Sequence, residues 1–432
     1  MKHKQIINNS AVMLLLWVLL SFPYHAFAVN YSEGLPVSKA LGAWQNPNIG
    51  FVFDAITDVS DIEDEWKTFT TTGINVRSAE LSVSASIDPF ASLHGNFNFS
   101  EHGSALHEGY VIFPTLPMNL KVKAGHMLAN FGRWNSFHTH AMPFVSEPRI
   151  YMEYFGGHFS SNGAEFSWLM PIDHYFEITL AIYEKIAGHT HDEDPERECF
   201  ENEADRIAFE LGYTKHGNHY HTTDGRIIYP EELVDPLEPT TESKINKGAD
   251  DLAFGGRMTT SFEFGLDFSL DMGCSFVHQA GYKYSQRIDD YAYPKTVLGA
   301  DMTLFWHPLT QNRYRNLDLG VEYLANLESF ERVTPDLIFD DEYQRDGLFV
   351  YLHYQHNPTW HYGCFSEHFY SREGEKYQKN RSGVFLSYHL SHFQFFRMEY
   401  SHYKYSKNVD PVNRFILQYD AVIGYHTHGR QR

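Results

Sequence analysis

Between residues 73 and 103, apolar and polar side chains alternate strictly. Ala79, Leu81, Val83, Ala85 and Ile87 interleave with Ser78, Glu80, Ser82, Ser84 and Ser86; after an Ile87-Asp88-Pro89-Phe90 turn, Leu93, Phe97 and Phe99 interleave with Ser92, His94, Asn96 and Asn98. A period of two marks strands with one face against something apolar and continuous. The pattern returns later: Phe268, Leu270 and Met272 alternate with Asp267, Ser269 and Asp271, and Leu317, Leu319, Val321 and Tyr323 with Asp318, Gly320 and Glu322. Carboxylates at every second position of so many strands would be very costly in a dry sandwich core. The polar face is therefore predicted to meet water, in a lumen or on an outer surface.

Sixteen segments carry the strand pattern: 49–59, 73–88, 91–100, 106–114, 119–131, 163–171, 175–187, 251–263, 266–279, 296–306, 316–329, 347–356, 360–371, 382–392, 394–405 and 413–425. Their connectors alternate between short turns, such as Asp88-Pro89 and His356-Asn357-Pro358, and longer segments at 60–72, 101–105, 132–162, 188–250, 280–295, 330–346, 372–381 and 406–412. That alternation predicts an all-β fold: a transmembrane antiparallel β-barrel of about sixteen strands, with short periplasmic turns and long extracellular loops. Secreted β-sandwiches and β-helices share the alternation, so pattern alone leaves them open.

Composition and targeting narrow the choice. Aromatic residues make up 16% of the chain, with 28 Tyr and 34 Phe, yet the mean hydropathy is negative. This excludes a helical membrane protein and fits a barrel whose Tyr, Trp and Phe crowd the interfaces. Lys2 and Lys4 precede an apolar run from Ala11 to Leu20, too short to span a bilayer, and Ala26-Phe27-Ala28 supplies a small-residue cleavage site. Residues 1–28 thus read as a cleaved secretory signal, 29–48 as a periplasmic N-terminal segment and 49–428 as the barrel, in the outer membrane of a Gram-negative bacterium. The formal charge of −21 becomes more negative once the two lysines are lost, which argues against a nucleic-acid partner. The expected partners are outer-membrane lipid and small solutes or ions. Three cysteines, Cys199, Cys274 and Cys364, are too few and scattered for a disulfide framework. No nucleophile elbow, phosphate loop or His-Glu-x-x-His motif is present, so no catalytic residue is predicted.

Parity then populates the lumen. In the fifth strand Leu120, Val122 and Ala124 point outward, which turns Lys121 and Lys123 inward, and the following loop adds Arg133 and Arg149. These cations would line an anion-attracting constriction together with inward Glu80; equally, they would neutralise Glu80, Glu165 and Glu177. The loop 132–162 opens Gly132-Arg133-Trp134-Asn135 and is rich in aromatics, so it is expected to pack inward and narrow the pore.

Several stretches resemble a known family: Asn48-Ile49-Gly50-Phe51, Ala79-Glu80-Leu81-Ser82, and Leu120-Lys121-Val122-Lys123-Ala124-Gly125 leading to Phe131-Gly132-Arg133-Trp134-Asn135 and His138-Thr139-His140. They are similar to porin-like outer-membrane proteins related to phosphate-selective porins, in particular a group described as zinc-regulated. The resemblance is best over 46–180 and returns at Gly424-Tyr425-His426-Thr427-His428. It implies a sixteen-stranded barrel, a homotrimer and an inward third loop. A departure is the ending Gly429-Arg430-Gln431-Arg432, where such barrels finish on an aromatic residue.

Histidine is abundant, at 26 residues. The segment 188–250 contains His189 and His191 beside Asp192, Glu193 and Asp194, then His216, His219 and His221; this second cluster resembles the zinc site of histidine-triad surface proteins. Imidazoles and carboxylates are suitable Zn²⁺ ligands, and His138 with His140 forms a further candidate pair. The sequence thus predicts a porin-like channel for small hydrophilic solutes or ions with Zn²⁺ bound in an extracellular loop. The alternative is a non-conducting surface protein, an adhesin or zinc scavenger, on the same barrel.

Overall fold

The computed structural model describes residues 47–60, 73–100, 103–186, 188–189, 214–216, 219–221, 227–229, 252–282, 293–308, 314–334, 337–371, 380–404 and 411–424. Sixteen long strands dominate: β1 (Asn48–Ser60), β2 (Gly73–Ser86), β3 (Ser92–Ser100), β4 (Gly103–Leu116), β5 (Leu120–Leu128), β6 (His158–Leu169), β7 (Tyr175–Tyr183), β8 (Ala253–Phe264), β9 (Phe268–Tyr282), β10 (Tyr293–Trp306), β11 (Asn316–Thr334), β12 (Leu337–Gln355), β13 (Trp360–Ser371), β14 (Asn380–Ser391), β15 (Gln394–Lys404) and β16 (Val412–Gly424). Each pairs antiparallel with the next, including β7 with β8 across the long insertion, where Tyr175 opposes Ser261 and Tyr183 opposes Ala253. β16 returns to β1, from Gly50 opposite Gly424 to Ser60 opposite Arg414, so the sheet closes and has no edge.

Local chemistry fixes the short turns. Asp88 Oδ1 accepts from the backbone N–H of Phe90 and Ala91, both at 2.8 Å, and Asn357 Oδ1 accepts from Thr359 and Trp360, both at 2.9 Å. Each Asx–Pro pair thereby starts a tight turn. Differences from the expected boundaries fall at the opposite end. β3 and β4 stay paired to Ser100 opposite Gly103, into the span expected as a loop at 101–105, and β11 and β12 to Thr334 opposite Leu337, into the span expected as a loop at 330–346. β5 ends at Leu128 rather than 131, and β6 begins at His158 rather than 163.

The burial pattern inverts that of a water-soluble core. Leu93, Phe97, Phe276, Leu298, Met302, Leu319, Met398, Phe415 and Leu417 are exposed on the outside, whereas Asp54, Arg77, Glu80, Glu165, Asp301, Glu322, Glu367, Arg381 and Glu399 are buried. An apolar belt around a closed ring requires lipid. Trp360, Tyr362 and Tyr388 sit on the exterior near the short turns, with Tyr370 and Tyr400 toward the other end, as interfacial aromatics do. The fold is a transmembrane β-barrel of the Gram-negative outer membrane.

Candidate functional site: a charged lumen and an inward segment

Residues 129–157 leave β5 and cross the barrel before rejoining it at β6. Gly132 begins the turn at φ +60°, and a side chain there would collide with Glu322 and the Tyr151 hydroxyl. Two 3-10 turns follow, Trp134–Ser136 and Thr139–Ala141, then the short helix α1 (Arg149–Phe155), which ends on left-handed Gly156 at φ +77°. Asn135 holds the two stems together: its Nδ2 donates to the carbonyls of Ala129 at 2.8 Å and Phe159 at 2.9 Å, and its Oδ1 accepts from Phe159 N–H at 2.6 Å.

Such irregular backbone, deep within a barrel, needs partners for its amides and carbonyls. Carboxylates on the inner wall supply acceptors. Arg133 N–H donates to Glu322 at 2.8 Å, Val145 N–H to Glu399 at 2.7 Å, and Arg149 N–H to Glu367 at 2.6 Å. Arginines supply the donors: Arg77 to Val145 O at 2.8 Å, Arg397 to Phe144 O at 3.2 Å and Arg381 to Glu147 O at 3.0 Å. These wall residues come from β2, β11, β13, β14 and β15, so the segment lies inside the ring. The wall charges also pair with one another, Arg381 with Glu367 at 3.1 Å and Glu399 at 2.9 Å, and Arg257 with Asp301 at 2.6 and 3.0 Å. Many inward carboxylates expected to face water are instead buried and bonded.

An aromatic cluster completes the packing. Trp134 and Phe144 stack edge-on with Tyr351, Phe349, Phe365 and Phe385 of the wall, and Phe131, Phe155 and Phe159 form a second group against Tyr183. Tyr151 donates its hydroxyl to Glu322. Burial and that carboxylate hold the Tyr151 hydroxyl well above its ordinary pKa, so it stays a donor.

The cations expected at a constriction each meet a different partner. Lys121 reaches Glu177 at 3.3 Å with its side chain 38% exposed, and Lys123 lies 3.8 Å from Glu108 and over the Tyr110 ring. Arg133 donates to the Tyr351 hydroxyl at 3.2 Å, and Arg149 lies 3.4 Å from Glu153. Of the three carboxylates proposed to neutralise them, Glu177 meets Lys121, and Glu165 stands opposite Lys123 in the β5–β6 register. The hydrogen bonds of Glu165 come from Asn130 N–H and the Tyr183 hydroxyl, both at 2.7 Å. Glu80 faces the inward segment.

At Glu80 the structure joins residues that the sequence kept apart. His138 Nδ1 lies 3.0 Å from Glu80 Oε2 and its Nε2 lies 3.2 Å from Glu108 Oε2, while His140 Nδ1 is 3.7 Å from Glu80 Oε2. Burial opposes a charge on His138, but the flanking carboxylates of Glu80 and Glu108 outweigh it and push the imidazole pKa up to about 10. Among the described residues, Glu80, His138 and His140 form a group able to hold a metal ion, all three buried. Sequence reasoning missed Glu108 here; its only signal was its place in a strand, because its partner lies 30 residues away.

In the insertion, Thr214–His216 and His219–His221 form a hairpin that pairs His216 with His219 and Thr214 with His221, and Ile227–Ile228 adds a third strand. This register places positions 216, 219 and 221 on one face. Gly188–His189 pairs with the start of β6, His158 opposite His189. His191 lies outside the described residues.

No protein-family model matches the chain. It is 25% identical over 373 residues, 82% of this chain and 69% of the other, to an uncharacterized protein of Aquifex aeolicus. Among solved structures it is similar to the anion-selective porin of Comamonas acidovorans, with a TM-score of 0.51 at 7% identity, covering 87% of this chain and 99% of that one. The outer-membrane channel DcaP of Acinetobacter baumannii gives a TM-score of 0.50 at 11% identity, covering 88% and 96%. A loop-deletion mutant of OmpT from Vibrio cholerae gives 0.50 at 10% identity, covering 87% and 99%. At these identities the likeness concerns the fold: a porin-like barrel.

Proposed function

We propose that this barrel is a passive outer-membrane channel for small hydrophilic solutes or ions, narrowed by the inward segment. The observation that carries the reading is a charged inner wall that grips an irregular segment by its backbone, while Lys121 on β5 keeps more than a third of its side chain in contact with solvent. Selectivity would then rest on the fixed charges left around that passage, Lys121 and Lys123 among them. Reconstitution in planar bilayers tests this, with ohmic current steps expected. Their absence from correctly folded protein would favour the non-conducting binding protein. In a conducting barrel, Lys121→Glu with Lys123→Glu shifts the reversal potential toward cation preference, and an unchanged potential removes the lysines from the selectivity argument.

The insertion adds Zn²⁺ capture to the reading, supported by the shared face of positions 216, 219 and 221. Changing all three to alanine is expected to lower zinc uptake and leave the barrel folded. A homotrimer is the assembly we infer from the family resemblance, and native mass spectrometry in detergent distinguishes it from a monomer.

A further inference from the structure

We propose that Glu80, His138 and His140 form a binding site for a divalent cation of the zinc class, with Glu108 orienting His138 from behind. A tetrahedral ion with bonds of about 2.0–2.1 Å separates neighbouring donor atoms by roughly 3.3 Å. The Glu80 oxygen lies 3.0 Å from His138 Nδ1 and 3.7 Å from His140 Nδ1, on either side of that value. All three donors fall within 4.8 Å of one another. They border a small cavity whose other lining residues are Asp54, Arg77, Ser78 and Thr139. Two imidazoles with one carboxylate favour zinc-class ions over magnesium or calcium, which take oxygen ligands.

The surroundings match a metal centre in one further respect. Glu108 sits on the far nitrogen of His138, as the carboxylate behind a ligating histidine does in metal sites generally. His140, 7% exposed, brings a second imidazole beside the same Glu80 oxygen. Because Glu80 belongs to β2 and both histidines to the inward segment, a bound ion fastens the segment to the wall. The site stands whether or not the barrel conducts.

The test uses full-length protein folded in detergent and carrying His216→Ala, His219→Ala and His221→Ala, so that the insertion's cluster is silent. Titration with Co²⁺ is expected to give one ion per chain with the visible absorption of a tetrahedral site, displaced by one equivalent of Zn²⁺. His140→Ala removes that signal, and Glu108→Gln keeps the stoichiometry but weakens affinity about 10–100-fold. Absence of a tetrahedral Co²⁺ spectrum in the parent, or an unchanged spectrum in folded His140→Ala, overturns the proposal and leaves a proton-bridged ion pair. Should His140→Ala fail to fold, the parent spectrum and the Glu108→Gln affinity decide.

Discussion

Asn135 clasps the two stems of the inward segment, and replacing it by alanine tests how that segment is held. Residue 135 is fully buried and spans the gap between the two stems, at Ala129 and Phe159. After truncation the two carbonyls keep other donors, since Phe131 N–H bonds Ala129 O at 2.8 Å and Ala129 N–H bonds Phe159 O at 2.9 Å. Phe159 N–H loses the acceptor at 2.6 Å and becomes the costly orphan. Leaving one buried donor unsatisfied costs about 1–3 kcal/mol and each lost hydrogen bond about 0.5–1.5 kcal/mol, which places Asn135→Ala at about 3 kcal/mol. If the segment opens locally, amides over 129–159 exchange with deuterium roughly a hundredfold faster, while those of β9 and β10 keep their protection. Asn135→Asp sharpens the test. It preserves shape and the acceptor for Phe159, but sets an oxygen against two carbonyls and brings an uncompensated charge into a buried site. It should therefore be at least as damaging as alanine. Wild-type exchange over 129–159 in the alanine variant, or wild-type stability in the aspartate variant, would refute this account of the clasp.

Gly132→Val forces a β-branched residue to φ +60° against Glu322 and Tyr151; the root of the segment should shift and expose Trp134 to a fluorescence quencher, and quenching at the wild-type level would contradict this. Arg381→Met leaves Glu367 and Glu399 buried without their shared cation, a loss of about 3–5 kcal/mol, read as a lower urea midpoint for the folded, heat-modifiable form. Glu399→Gln in that background should recover part of the loss. For metal-free protein, the pKa of His138 rises from its ordinary 6.5 to about 10 on folding, so its contribution is complete below pH 6.5 and is lost as pH climbs through 10. Melting in chelator should show stability falling over that window in the wild type and a shallower fall in His138→Gln; identical profiles would remove His138 from the balance.

The strands were legible because a period of two assigns every residue to a face: Lys121 and Lys123 point inward, as their contacts with Glu177 and Glu108 require. Residues 330–346 misled for a physical reason. Glu331, Asp340, Asp341 and Glu342 read as a solvated loop, yet Glu331 opposes Asp340 and Ser329 opposes Glu342 in an unbroken ladder. A strand that runs on beyond the apolar belt has no lipid face to satisfy, so backbone pairing persists without alternation. The metal group was half legible. The sequence spacing of His138 and His140 marked a pair, but their third donor lies 58 residues upstream, and no local period encodes which strand the inward segment will meet.

What the sequence did carry, without an obvious meaning, was the set of single carboxylates and arginines at inward positions: Glu80, Glu108, Glu322, Glu367, Arg381, Arg397 and Glu399. Read as lumen residues they imply water. Combined with a loop rich in Trp, Phe and Tyr, they imply something else, because an aromatic segment entering the barrel brings unsatisfied amides and carbonyls with it. The wall answers with charged side chains, whose hydrogen bonds to backbone are the strong ones. Where the segment also brings two histidines to a wall carboxylate, the same need for partners makes a metal ion a natural occupant. Removing the inward segment from such a barrel would therefore strand a ring of buried charges, and the wall would be stable only if water filled the space. On this argument, deletion of 133–155 should yield either a wide, conducting pore or no folded barrel, and a folded, closed barrel would show that the segment is not what the inner charges are arranged to hold.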